Sequence, residues 1–492
     1  MGSLVTSKRL TSSVVRRWLA IVSALAIGGC QVSAQLPLPT DGRQKTRSRS
    51  VIVQLFEWPW ADIAQECETW LGPKGYGAVQ ISPPHEHPVI AQDNISFPWY
   101  QRYQTPVSYK LSSRSGNRSD LAEMISHCHK AGVNVYADVV INHITSNGAS
   151  EAASNGANDG VSHGIGNIDD APQALNMASE TVQVAISNAM NELLALGVAG
   201  FHIDSAEHIP PQHLTKILRR LHPLNTKFHR HGGRPFVYQE VSNTDSTQAS
   251  DYFGNGAVTE FAYGRNLGEQ VRHGALKNLM LFGQAWGLMP SHKAVVFTDN
   301  HSTQRSRDLN IVTFYSPADD GARYRLANVF MLAWPYGTPK IMSSYDWPRE
   351  IGNWFGPPAD EKGQTLPVSC GTDWVCEHRW TEIANMVEFR NVTKGVSTVN
   401  HWWDNGNNQI AFARGSRGFV VINNENKPLS ETLMTGLPSG SYCNVLAPSK
   451  PITTPDSALT SCDIPIVVDI EGKASFKVPP LHAVAIHIMA QH

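Results

Sequence analysis

The sequence predicts an α/β protein: a closed parallel barrel of the (β/α)8 kind, followed by a small all-β domain. Three observations predict it. From Val51 onward, short apolar runs alternate with segments of helical periodicity, as in repeated β-α units whose parallel strands are buried on both faces. Two of these runs, Gly200-Phe201-His202-Ile203-Asp204 and Pro235-Phe236-Val237-Tyr238-Gln239-Glu240, end in a carboxylate at the start of a loop. That is where a parallel barrel carries its chemistry. After about residue 397 the helical pattern stops, and strand-like runs separated by turns take over.

Taken in order, residues 1–34 read as a signal peptide. Lys8, Arg9, Arg16 and Arg17 precede an apolar stretch at 18–29, too short to span a bilayer comfortably. Two cleavage readings stay open. Val32-Ser33-Ala34 suits ordinary signal peptidase and free secretion, whereas Ile27-Gly28-Gly29-Cys30 resembles a bacterial lipobox. Secretion to the extracellular side is the expectation, with membrane contact only if Cys30 is lipidated. Residues 35–50 are polar, with Pro, Lys and Arg, and read as a disordered linker.

Residues 51–396 carry the barrel. Its strands are expected at 51–56, 76–81, 133–139, 199–204, 235–240, 257–261, 293–299 and 338–342. Residues 121–131 and 182–196 read as helices, the second because Val182, Ile186, Ala189, Leu193 and Leu196 recur at helical spacing. Residues 144–176, rich in Ser, Asn, Gly and Asp, form a long insertion after the third strand. Loops of that length usually serve function or mobility. Residues 397–492 read as a separate β-sandwich, with strands at 410–413, 418–423, 441–445, 466–470, 474–478 and 483–488.

A net charge of -2 over 492 residues gives no reason to expect a nucleic-acid partner. A monomer is expected. Without the leader six cysteines remain: Cys67, Cys128, Cys370, Cys376, Cys443 and Cys462. An even number in an exported chain suggests disulfides. The carboxylates Asp204 and Glu240 are the minimum equipment of a retaining glycosidase, which needs a nucleophile on one face of the sugar and an acid at the leaving oxygen.

Several segments together resemble the animal-type alpha-amylases, from about Val51 to the C-terminus. They are Val53-Gln54-Leu55-Phe56-Glu57-Trp58, Gly75-Tyr76-Gly77-Ala78-Val79-Gln80-Ile81-Ser82-Pro83-Pro84, Arg102-Tyr103-Gln104 with Pro106-Val107-Ser108-Tyr109-Lys110-Leu111, and Asp138-Val139-Val140-Ile141-Asn142-His143. Further along come Asp251-Tyr252-Phe253-Gly254-Asn255-Gly256, Met342-Ser343-Ser344-Tyr345 and Trp374-Val375-Cys376-Glu377-His378-Arg379-Trp380. The resemblance implies a TIM barrel, a domain inserted after the third strand and a C-terminal Greek-key domain. It implies the bridges Cys67–Cys128, Cys370–Cys376 and Cys443–Cys462. It makes Asp204 the nucleophile and Glu240 the general acid/base. Trp99, Tyr100, Tyr103, His143, His208 and His301 fall at substrate-binding positions, and the implied partner is an α-glucan. Asn142 and His208, the latter through its carbonyl, match two calcium positions, with Asp169 and Asp170 as further candidates. Asn300 and Lys340 match chloride positions.

The chain departs from that family at its chemical centre. Serine stands at Ser302, where the family carries a third catalytic acid, and histidine at His202, where it carries an arginine two residues before the nucleophile. Losing the arginine argues against chloride. The insertion is short, which leaves the calcium donor set incomplete. Glu207 replaces a lysine, and Ser112 stands where a further bridge would begin. The expectation is therefore a secreted α-1,4-glucan hydrolase of the alpha-amylase type, with weak or altered activity. The alternatives are a catalytically inactive homologue that binds glucan or protein through the old cleft, and a hydrolase of a different glycoside.

Overall fold

The computed structural model describes residues 49–92, 95–104, 106, 108–144, 173–244, 246–306, 308–315, 321–350, 352–447, 462 and 464–492. The expected leader, most of the expected linker, Asp169 and Asp170 lie outside the described residues. Among those described, no helix is long and apolar enough to cross a membrane.

Eight parallel strands close into a barrel. They are β1 (Ile52–Leu55), β2 (Ala78–Ile81), β3 (Asn134–Val139), β4 (Gly200–Ile203), β5 (Phe236–Gln239), β6 (Ala257–Thr259), β7 (Ala294–Val296) and β8 (Thr338–Ser343). Every residue of β1, β2 and β4 is buried, as expected of strands enclosed by helices outside and side chains inside. The register sets His202 of β4 opposite Asp138 of β3 and Tyr238 of β5. That alignment puts the polar strand ends at one height.

Helices return the chain between strands. Residues Arg118–Lys130 form α1, whose Asn117 and Asp120 make a reciprocal capping box that satisfies otherwise orphaned N–H groups. Residues Glu180–Leu196 form α2, which buries Val182, Ile186, Ala189 and Leu193 and ends at Gly197, φ 111°, a conformation that glycine adopts without a Cβ penalty. The excursion after β3 leaves and returns through a two-residue antiparallel ladder, in which Ile144 pairs with Gln173 and His143 with Ala174. At the barrel's N-terminal side, Arg49 Nη1 donates to Ala131 O and Gly132 O at 3.1 and 3.0 Å.

The C-terminal part is all β. Strands β9 (Val399–Asp404), β10 (Gln409–Arg414), β11 (Gly418–Asn423) and β16 (His482–His487) form one sheet. Strands β12 (Leu429–Met434) and β15 (Lys473–Val478) pair, as do β13 (Gly440–Tyr442) and β14 (Ile466–Val468). Strands β9 and β12 go beyond the sequence reading. The first is interrupted by a register shift between Asn400 and Trp403, and the second exposes most of its residues, so neither shows a clean alternation. Arg414 is buried and donates to Ala333 O and Val396 O, tying this region to the barrel. Disulfides join Cys67 to Cys128, Cys370 to Cys376 and Cys443 to Cys462, the pairs that the resemblance implies.

Candidate active site

Asp204 follows β4 and Glu240 follows β5. Their backbones are held by Asp204 N donating to Val139 O at 3.1 Å and Glu240 N to Ile203 O at 2.9 Å. One oxygen of each carboxyl and a ring nitrogen of His301 lie within 4.8 Å of one another. Such proximity matches the short carboxyl separation of a retaining glycosidase. Ser205, just past Asp204, adopts φ 49°, a left-handed conformation costly for a residue with a Cβ. Its hydroxyl donates to Asp204 Oδ2 at 3.2 Å.

Burial raises both acids to about 7. For Asp204 the neighbouring Asp138 charge adds to it and His202 opposes it; for Glu240 the Asp204 charge adds to it. Two such carboxyls titrate as a unit, and both cannot be ionised cheaply. His301 reaches Asp204 Oδ1 with Nε2 at 3.5 Å, and burial pushes its imidazolium down to about 4. It therefore faces Asp204 as neutral imidazole at pH 7.

A third carboxylate, Asp138 at the end of β3, is fully buried. Its Oδ2 accepts from Tyr103 OH and Gln80 Nε2, each at 3.1 Å, and its Oδ1 lies 2.7 Å from His202 Nδ1. Burial works against its ionisation, but the His202 charge and hydrogen bond outweigh that and hold the carboxyl below its ordinary value. Sequence reasoning quoted Asp138 without giving it a role. The signal was present, because Val135-Tyr136-Ala137-Asp138 is another apolar run ending in a carboxylate.

An aromatic wall adjoins the acids. The Tyr103 and His301 rings stack at 4.6 Å, and Trp99, half-buried, contacts both at 5.7 and 5.8 Å. Tyr100 meets Trp99 edge-on at 6.1 Å. Behind them, the buried Arg305 guanidinium lies over Phe56, Trp99, Tyr345 and Trp347, nearest to Trp347 at 4.3 Å. Arg305 is a buried cation that the sequence reading did not single out.

The remaining expected positions are more scattered. His208 is exposed. His143 stands in the short ladder, and its side chain lies outside the described structure. Asn142 O accepts from Leu175 N at 3.0 Å. Calcium takes six to eight oxygens. Among the described residues Asn142 and His208 belong to no cluster of acidic groups. The two compact clusters, Asp138 with His202 and Asp204, and Asp204 with Glu240 and His301, are built around imidazoles and the acid pair. Neither fits calcium. Lys340 is buried and donates to Gln54 Oε1 at 3.1 Å, while Asn300 Oδ1 accepts from the backbone of Ser302 and Thr303. At the expected arginine position His202 Nδ1 is committed to Asp138 at 2.7 Å.

A closed parallel barrel with paired carboxyls at neighbouring strand ends, an aromatic wall and an all-β appendix defines a glycoside hydrolase of the barrel class. Residues 401–489 match the family described as alpha amylase, C-terminal all-beta domain. Rat pancreatic alpha-amylase is 42% identical over 454 residues, which cover 82% of this chain and 88% of that one. The crystal structure of alpha-amylase I from Eisenia fetida superposes with a TM-score of 0.79 at 37% identity, covering 90% of this chain and 97% of that one. A mutant of that enzyme, solved in complex with maltohexaose, superposes at 0.78 with 36% identity and the same coverage. The chain belongs to the alpha-amylase family and is a glycosidase.

Proposed function

We propose that the protein hydrolyses α-1,4-glucans with retention of anomeric configuration. Asp204 attacks the anomeric carbon while Glu240 protonates the departing glycosidic oxygen, giving a covalent glycosyl-enzyme. Glu240, now a carboxylate, takes a proton from water, whose oxygen displaces Asp204 and leaves the sugar with its original configuration. The carrying observation is the Asp204–Glu240 pair, close enough to share one sugar and raised together toward neutrality. Trp99 and Tyr103 offer stacking faces beside it. The maltohexaose bound by the Eisenia enzyme's mutant supports a glucan as ligand. Neither calcium nor chloride has a step in this reading.

The rate is low or altered because Ser302 supplies no third carboxyl. Its side chain is exposed and its N–H donates to Asn300 Oδ1 at 3.0 Å. Losing a preorganised group of that kind costs about 3–4 kcal/mol, or roughly 10²–10³ in rate. Secretion follows from the leader reading. The test is sugar release from starch and maltohexaose, with product anomers followed by NMR and Asp204→Asn as control. Release of α-anomers abolished in Asp204→Asn supports the reading. Binding of maltohexaose without any release would identify a non-hydrolytic binder instead.

A further inference from the structure

His202 occupies a position with two distinct faces. The residue is 1% exposed. On one side its Nδ1 lies 2.7 Å from Asp138 Oδ1. On the other its Nε2 lies 4.0 Å from Glu240 Oε2 and has no hydrogen-bond partner. Asp138 accepts only, so Nδ1 must donate. Nε2 then carries a proton only when the ring is an imidazolium. The groups facing the ring are Asp138 on β3, Tyr238 and Glu240 on and after β5, with the Tyr238 ring at 4.8 Å, Gln80 on β2 at 3.4 Å, and Asp204 and His301 at the neighbouring strand ends. Lys340 on β8 opposes its charge.

We infer that His202 is a positioning residue, an imidazolium clamped by Asp138 and aimed through Nε2–H at Glu240, which supplies the acid pair with its cation. The inference rests on the retaining mechanism proposed above. The charge matters at two points in the cycle. It favours ionised Asp204, the form that attacks. It also stabilises the carboxylate that Glu240 becomes once its proton has gone to the leaving oxygen. His202 keeps its own proton throughout, so no net transfer passes through it. Burial disfavours the charged ring, but the Asp138 charge and hydrogen bond outweigh that and hold it above its ordinary value.

The test compares His202→Gln and His202→Arg on maltohexaose, with kcat/KM measured from pH 4 to 9. The neutral glutamine removes the cation, so the acid limb, where Asp204 must ionise, moves up by about one pH unit. The permanent charge of arginine leaves that limb in place. A His202→Gln acid limb coincident with wild type overturns the inference, because a packing role changes stability without moving it. A measurement on the wild-type chain decides the matter without turnover. In 15N-histidine NMR at pH 7, with His202→Arg used for assignment, both ring nitrogens of His202 carry protons if the inference holds. A proton on Nδ1 alone overturns it. Failure of the retaining reading shows separately, as sugar release that survives Asp204→Asn.

Discussion

The Tyr103 and His301 rings lie 4.6 Å apart at 22°, and the stacked pair reaches two carboxylates. Tyr103 OH donates to Asp138 Oδ2 at 3.1 Å, and His301 Nε2 lies 3.5 Å from Asp204 Oδ1. The segment after β2 and the segment after β7 are thus joined over the barrel mouth. Each side chain contributes an apolar face to the wall and a polar edge to an acid.

Tyr103→Phe separates these two contributions. The ring stack survives, while Asp138 Oδ2 loses one of its two donors and keeps Gln80. A lost hydrogen bond to a buried charge costs about 1.5–3 kcal/mol, and the variant should unfold more easily by that amount. Its kcat/KM should fall by roughly tenfold if about 1.4 kcal/mol of the loss is felt in the transition state. Urea titration and sugar-release kinetics measure the two effects. A variant with wild-type stability would show that the stack alone holds this corner.

Glu240→Gln should trade activity for stability. Burial, then the Asp204 charge, raises Glu240 from its ordinary 4.5 to about 7. The folded state therefore holds this proton more tightly than the unfolded chain does. The associated stability is complete below about pH 4 and is lost as pH rises through 7. Glutamine carries no charge to desolvate. At pH 8 the variant should be more stable than wild type by about 1–3 kcal/mol, and at pH 4 the two should coincide. Thermal unfolding at both pH values is the check, and an equal gain at pH 4 would point to packing rather than charge.

The barrel was legible in the sequence because parallel strands enclosed on both faces become uninterrupted apolar runs, and a carboxylate ending such a run stands out. Asp204 and Glu240 were read on that basis. The resemblance added positions that spacing cannot supply, among them the disulfide pairs. What stayed illegible depends on register. Nothing in the local sequence says that Asp138 and His202 lie opposite each other on adjacent strands, or that Arg305 slides beneath four aromatic rings from distant segments. Strand β9 was missed because its register shift hides the alternation.

Removing the Cys67–Cys128 bridge should be costly. It closes a sequence separation of 61 residues that holds β2, the long segment after it and most of α1, and both cysteines are fully buried. Chain-entropy reasoning gives about 4 kcal/mol for a link of this length. The paired change Cys67→Ala with Cys128→Ala should lower the unfolding free energy by that order. Cys370 and Cys376, only 6 apart, should cost less. Non-reducing peptide mapping fixes the pairing in the wild-type protein, and a free thiol at Cys67 or Cys128 would contradict it.

Ser302→Asp should raise glucan hydrolysis. Ser302 immediately precedes the short helical turn Thr303–Arg305, and its exposed side chain makes no capping hydrogen bond that a substitution would remove. The substitution should therefore leave folding intact. Being exposed in the loop after β7, the new carboxyl is free to meet a sugar hydroxyl and to help Glu240 retain its proton. The expected gain is at most the roughly 10²–10³ in rate assigned to one preorganised group. Asp138 already carries a buried charge near Asp204, so a further anion also raises the energy of ionising the nucleophile, and the realised gain should be smaller. Adding His202→Arg keeps a cation at that position and frees it from titration. The double variant should therefore match the single one near neutrality and exceed it at alkaline pH, where the His202 imidazolium loses its proton, and the two effects need not add because both act on one acid pair. The measurement is kcat/KM on maltohexaose for wild type, both single variants and the double. A wild type that is fast and slowed by Ser302→Asp would mean that Ser302 belongs to a re-tuned site and that no acid is missing.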